Sequence, residues 1–342
     1  MTGPVDDLTD GVVDELVERR LPWTAPLIRS WYAEETLRAN LREPMSTEAG
    51  RIGNADFGRQ FRTDLGIGGP EDPLAWANRR LDLPDGGWAL VGIRFRGRDT
   101  RLPFVDVVAT TAPPTPDGLA VVAETVVPAY REFSPLCLRT DAPDAPGLVE
   151  DLRGDPRFAA GSAVDMHVVA GRVSELRDRP RSAAYPRVGL RAGDADTLAR
   201  RVAEIYRNLS ATQPELATWA NPEDLESLTA CADEGLLFEV LADETPAGVV
   251  AALRTDDHGM TGFSVQEICL DPEHRGRRLG AAVAQRLADE LPARPADVLW
   301  GTIHGANVPS LRNALSIGRS LVGGYVWVTP AGLPGMPATV TG

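Results

Sequence analysis

Apolar residues recur every three to four positions at the start of the chain. Val12, Val13, Leu16 and Val17 form one stripe of a predicted helix over 10–19, which Thr9 can cap. Ile28, Trp31 and Leu37 continue at helical spacing through 27–41, whereas 50–69 follows neither the helical nor the strand period. From Trp88 the pattern changes. Segments 88–95 and 104–110 are apolar and β-branched and predict strands. A loop with three prolines covers 112–118, a helix with a possible kink at Pro128 covers 119–133, and a short strand covers 136–139. A helix over 146–153 and a strand over 164–173 close this region.

Segment 177–187 is polar, carries two prolines and separates two patterned regions, so it is the candidate linker. Beyond it, the strand over 188–191 is followed by a helix over 194–209 with Leu198, Val202, Ile205 and Leu209 on one face. Asn221 and Pro222 predict a cap for a helix over 223–233. Strands over 236–241 and 247–254 form a hairpin, and a third strand spans 263–270. Helices over 279–291 and 308–317 alternate with strands over 298–303 and 322–328. The order of elements from 88 to 173 resembles that of the second region closely enough to suggest two copies of one architecture, although residue identity between them is not evident.

The 342 residues are 43% hydrophobic and 25% charged, enough for two globular cores. All 35 basic residues are arginine against 49 acidic ones, and the net charge of −14 disfavours nucleic acid and anionic membranes as partners. It suits a cationic or amine-bearing small molecule, although plain solubility is the commoner reason for such a charge. Three widely spaced cysteines (137, 231 and 269) argue against a disulfide framework or a zinc site; no metal is expected, and a reducing cytoplasm is. The opening residues are acidic, without the basic-then-apolar pattern of a signal peptide, and no apolar run is long enough to span a membrane.

The chemistry concentrates where the strand ending at Leu270 runs through Asp271-Pro272 into Arg275-Gly276-Arg277-Arg278-Leu279-Gly280-Ala281 and a helix. Free backbone N–H groups at a helix start favour an anion, the glycines let the backbone come close, and forked arginine donors suit phosphate. Neither a nucleoside-triphosphate loop nor a dinucleotide fingerprint is present. A solvated arginine cluster on an ordinary turn is the alternative.

This stretch resembles the acyl-CoA motif of the GNAT N-acetyltransferase superfamily, [QR]-x-x-G-x-[GA] after a strand ending in V-x-P. Leu270-Asp271-Pro272 stands at the strand end, Arg275 at the first motif position and Gly280 at the last, with Arg278 in place of the middle glycine. A second block, N-x-x-A-x-x-x-Y-x-x-x-G-F, is matched at Asn307 and Gly318; Ala314 replaces its tyrosine and Arg319 its phenylalanine. The resemblance covers about 140 residues (187–330) and implies an α/β fold of two GNAT-like domains. Each would be a mixed, mostly antiparallel twisted sheet flanked by helices. Residues 187–330 would bind acetyl-CoA or another acyl-CoA as cosubstrate. Residues 1–180 would hold a helical segment and a degenerate copy whose proline-rich loop has lost CoA binding, in a monomer or homodimer.

The resemblance implies that Ile268, Cys269, Leu270, Arg275, Gly276, Arg277, Arg278, Leu279, Gly280, Ala281 and Asn307 hold the cosubstrate. It also implies that a backbone N–H near Leu270 receives the thioester oxygen. Acyl transfer to an amine further needs a base and a proton for the leaving thiolate. Glu267 is the carboxylate inside the strand, but alternation turns it away from the family's base positions unless a bulge intervenes. Gln266 positioning a water is the alternative, and His304, at the end of the next strand, is a candidate for proton transfer. Tyr325 is a further candidate acid, and Trp219, Trp300 and Trp327 are core or platform aromatics. The missing tyrosine keeps acyl-CoA hydrolysis or decarboxylation open, as well as acyl-CoA binding without catalysis.

Overall fold

The computed structural model describes residues 4–214 and 220–337. Two compact units emerge, and they interleave along the chain. The first comprises residues 4–166 with Asp257–Gly259 and Gly323–Pro337; the second comprises His167–Asp256 with Met260–Val322.

The first unit opens with helices α1 (Pro4–Arg20), α2 (Pro26–Trp31), α3 (Glu34–Ala49) and α4 (Ala55–Leu65). Strands β1 (Arg79–Asp82), β2 (Trp88–Phe95) and β3 (Pro103–Thr110) follow, then α5 (Pro116–Ala129), β4 (Leu138–Ala142) and α6 (Ala145–Gly154). β1–β2–β3 is an antiparallel meander, and β4 lies parallel to β3. Strand β5 (Ala163–Arg172) starts here and enters the second unit at His167.

In the second unit, α7 (Val173–Asp178), β6 (Val188–Ala192), α8 (Ala195–Thr212) and α9 (Leu225–Asp233) precede a hairpin of β7 (Leu237–Ala242) and β8 (Thr245–Arg254). Its two turn residues, Asp243 and Glu244, both have positive φ, as a tight hairpin of matching twist requires. Then come β9 (Gly262–Leu270), α10 (Leu279–Glu290), β10 (Val298–His304), α11 (Val308–Ser316) and β11 (Ser320–Val328). The sheet of this unit runs β5-β10-β9-β8-β7-β6. The last strand, β11, pairs with β4 over Gly324–Val328 and so completes the sheet of the first unit.

The two units share a sub-topology. In each, an antiparallel pair (β2–β3, β8–β9) leads through a helix (α5, α10) to a parallel strand (β4, β10) and a second helix (α6, α11). Both second strands carry a bulge. Leu90 and Val91 face Ala109 and Val107, leaving Val108 extra on β3; Ala251 and Ala252 face Glu267 and Val265, leaving Gln266 extra on β9. The fold is thus mixed α/β, with the duplicated order that the alternation of periods suggested.

Local signals failed where two competed. α1 already begins at Pro4, so position 9 lies within the helix and not at its start. The stripe through 27–41 is two helices, broken where Tyr32 and Ala33 turn extended. α9 starts at Leu225 rather than 223, because Asp224, not Asn221, caps it, accepting the Ser227 N–H at 2.8 Å. Segment 50–69 contains α4, capped by Asn54.

Candidate functional site

The bulge at Gln266 decides what β9 presents. Upstream of it, Phe263 and Val265 pack with α10 residues such as Leu279, Val283 and Leu287. Strict alternation would send Glu267 and Cys269 to that same face. The extra residue shifts the parity. Ile268 and Leu270 now face α10, and Cys269 packs with Leu198, Val202 and Ile205 of α8 and Leu228 of α9. Glu267 follows Cys269 to the α8–α9 side.

There Glu267 is 4% exposed. Its carboxylate accepts from the Tyr206 hydroxyl at 3.1 Å and from the Glu223 N–H at 3.5 Å. Burial pushes its pKa from the ordinary 4.5 up to about 7; the hydrogen bonds from Glu223, Tyr206 and the Ile268 N–H pull only partly back. A carboxyl poised near neutrality, held by a phenol on one side and a backbone N–H on the other, is suited to accept a proton at physiological pH.

The edge of β9 opposite β8 is open along much of its length. The parallel ladder with β10 spans Gly262–Val298, Phe263–Leu299 and Ser264–Trp300, after which β9 continues to Leu270 and β10 to His304. The two strands therefore make a fork whose closed end is Ser264–Trp300. The Asp271 N–H donates to Ala247 at 2.9 Å, so Cys269 is the next residue bonded to β8, while Ile268 and Leu270 direct N–H and C=O into the fork. Arg275 Nε donates to the Leu270 carbonyl at 2.9 Å, folding the turn back onto the strand end.

The turn itself has the backbone that the motif requires. Gly276 has φ 72°, a left-handed conformation that glycine adopts freely, with nothing near its missing Cβ. Arg278 takes φ 59° and ψ 28° as N-cap of α10 and gives no side-chain cap. That conformation explains why a glycine stands at this motif position. The first N–H groups of α10 are left to an external acceptor.

The corresponding start of α5 is closed. Thr115 Oγ1 accepts the Gly118 N–H at 3.3 Å, Pro116 removes a donor, and Asp117 places a carboxylate in the first turn. A Cβ at Gly118 would lie 2.3 Å from the Pro113 carbonyl, so the loop is folded tightly over the helix start.

Other candidates take more ordinary places. The Asn307 side chain caps α11, accepting the Ser310 N–H at 3.2 Å. His304 Nδ1 accepts the Ala306 N–H at 3.2 Å, leaving the ring proton on Nε2. Burial raises the Cys269 thiol well above its ordinary range, which fits packing rather than nucleophilic work. Gln266 donates to Ser264 Oγ. Tyr325 belongs to the first unit, paired with Asp141 on β4 and 4.8 Å from the Arg139 guanidinium. Trp327 is in that sheet too, Trp300 donates to the Thr255 carbonyl, and Trp219 lies outside the described residues. Sequence reasoning passed over Tyr206 and Glu223. The stripe of α8 would have drawn attention to Tyr206, one position after Ile205, but nothing local marks a loop N–H such as that of Glu223.

Gly280 also gains a second meaning. A Cβ there would meet the Asn313 side chain of α11 at 3.1 Å, so the glycine lets α10 and α11 approach. Gly280→Val is expected to destabilise the ligand-free protein by about 1–3 kcal/mol through overpacking. Chemical denaturation without ligand checks this, and an unchanged midpoint would leave the glycine with a role toward ligand alone.

Among the described residues no helix is long and apolar enough to cross a membrane. Residues 202–316 match the family model for acetyltransferases of the GNAT family. Among solved structures, the chain is similar to a GCN5-related N-acetyltransferase from Sphaerobacter thermophilus, with 14% identity over 75% of this chain and 81% of that one and a TM-score of 0.47. It is similar to a GCN5-related N-acetyltransferase from Kribbella flavida, with 17% identity over 81% and 95% and a TM-score of 0.38. A tandem GNAT protein from the clavulanic acid biosynthesis pathway shows 15% identity over 72% and 79%, with a TM-score of 0.39. No curated protein matches. Segment 202–316 of this chain is a domain of the GNAT acetyltransferase family.

Proposed function

We propose that the chain is an acyl-CoA-dependent N-acyltransferase that acylates the amine of a small molecule by direct attack. Region 187–330 would act as the acyl-CoA domain and 1–180 as a degenerate copy. The observation that carries this reading is Glu267, a buried carboxyl with a pKa of about 7 beside an open strand edge. The pyrophosphate would sit at the start of α10 against Gly276, Arg277 and Arg278, with Arg275 bracing the turn. The pantetheine arm would enter the fork and pair with N–H and C=O groups that β9 directs into it. The amine nitrogen attacks the thioester carbon, and a backbone N–H that β9 directs into the fork receives the developing oxyanion. Glu267 takes the proton that the amine releases, directly or through water. The carbon–sulfur bond then breaks, giving an amide and CoA. A thiol of ordinary pKa near 8.5 can leave as thiolate, which lessens the need for the tyrosine absent at Ala314.

Thiol release from acetyl-CoA and other acyl-CoAs, measured against a panel of amines with product mass determined, tests the reading. Amine-independent release would favour hydrolysis or decarboxylation, and binding without release would favour a sensor. Calorimetric titration should give one CoA site per chain. A second site would mean that the capped start of α5 binds after all.

A further inference from the structure

Within the second unit, Arg319 is 5% exposed, yet its Nε has no hydrogen-bond partner and no carboxylate pairs with it among the described residues. The other deeply placed arginines differ: Arg20 has Asp141 at 2.6 Å and Arg139 has Asp106 at 2.9 Å, both in the first unit. Burial alone pulls the Arg319 pKa down to about 10, so the group is still a cation at neutral pH. Leaving such a charge unpaired in the interior is costly and calls for an anion supplied from outside.

The position says which anion. A Cβ on Gly301 would lie 3.5 Å from the Val265 Cβ and 3.7 Å from Arg319 Nη1. Gly301 and Val265 are the first residues past the last ladder pair, Trp300–Ser264, so the guanidinium stands at the closed end of the fork. From Leu270, beside the phosphate turn, back to Val265 is five residues, roughly 16 Å of strand. A pantetheine arm has about twelve bonds between phosphate oxygen and sulfur. At three bonds and about 3.4 Å per residue it matches roughly four residues. Its sulfur then comes level with Glu267 along β9, and a short acyl chain that passes through the fork toward the face lined by Val265 ends at Arg319. An acetyl methyl would leave the cation bare; a carboxylate would pair with it.

We infer that the preferred cosubstrate is a CoA thioester whose short acyl chain ends in a carboxylate, with Arg319 as its receptor. This rests on the acyl-CoA reading above. The test is calorimetric binding of succinyl-CoA and butyryl-CoA, alike in chain length, to the full chain and to Arg319→Met. The native protein should prefer succinyl-CoA by about tenfold or more, the scale of a desolvated charge-assisted pair. Arg319→Met should bring the ratio near one; it removes an unpaired buried charge at similar volume and should fold. Equal affinities in the native protein overturn the proposal, and this comparison decides even if the variant fails to fold. A carboxylate received from the acceptor instead would give that result. A preference surviving in Arg319→Met also overturns it. Binding of neither ester would overturn the acyl-CoA reading beneath it.

Discussion

Glu267→Gln is expected to lower acyl transfer about 10²–10³-fold near pH 8 while making the protein more stable there. The two effects share one cause. Glu267 is buried and its pKa stands at about 7 instead of 4.5, so the folded state holds a proton that the unfolded chain loses above pH 4.5. A carboxyl raised in this way contributes its full stability below pH 4.5 and loses it as pH rises to about 7. Above that, the ionised group costs up to about 3 kcal/mol, at about 1.4 kcal/mol per pH unit. Glutamine keeps the acceptor for Tyr206 and has no charge to desolvate. Denaturant unfolding at pH 5 and pH 8 should therefore show the variant gaining on the native protein at the higher pH. Activity of the native enzyme should rise with pH through about 7 and level off. Parallel stability curves, or an unchanged rate, would remove Glu267 as the base.

What the sequence revealed, and what it hid, follows from how local each cause is. The turn at 275–280 was legible because its requirements are local: a strand end, left-handed positions at Gly276 and Arg278, and a helix start. The face of Glu267 was not, because one extra residue at Gln266 reverses the parity, and the bulge shows only in the register against β8. Tyr206 and Glu223 come from other elements, so no spacing along β9 could bring them to the carboxylate. The interleaving of the units was hidden for a similar reason. β11 has the same apolar pattern whichever sheet it joins, and only the pairing of Gly324–Val328 with β4 places its later part in the first unit. Arg319 stood in plain view as a departure from the motif, but its significance needed burial and the missing partner.

Arg278→Asp should weaken acyl-CoA binding by about 100-fold or more. Aspartate is among the residues that tolerate the left-handed backbone Arg278 adopts, so the turn is kept. It would place a negative charge where the pyrophosphate must lie. In the first unit protein groups already occupy the start of α5, Thr115 capping it from an extended backbone and Asp117 placing a carboxylate in its first turn. Arg278→Gly separates charge from backbone. An L-residue at φ 59° carries roughly 1 kcal/mol of strain that glycine does not. The glycine variant should therefore be more stable by up to about 1 kcal/mol, though glycine gains entropy in the unfolded chain and offsets part of this. Its acyl-CoA affinity should fall far less than in the aspartate variant, and with a weaker salt dependence than the native protein because one screened charge is gone. Calorimetric titrations at two ionic strengths, with melting curves of the ligand-free variants, distinguish the cases. Native-like affinity in the aspartate variant would mean that the phosphates do not bind at the start of α10, and the acyl-CoA reading would lose its anchor.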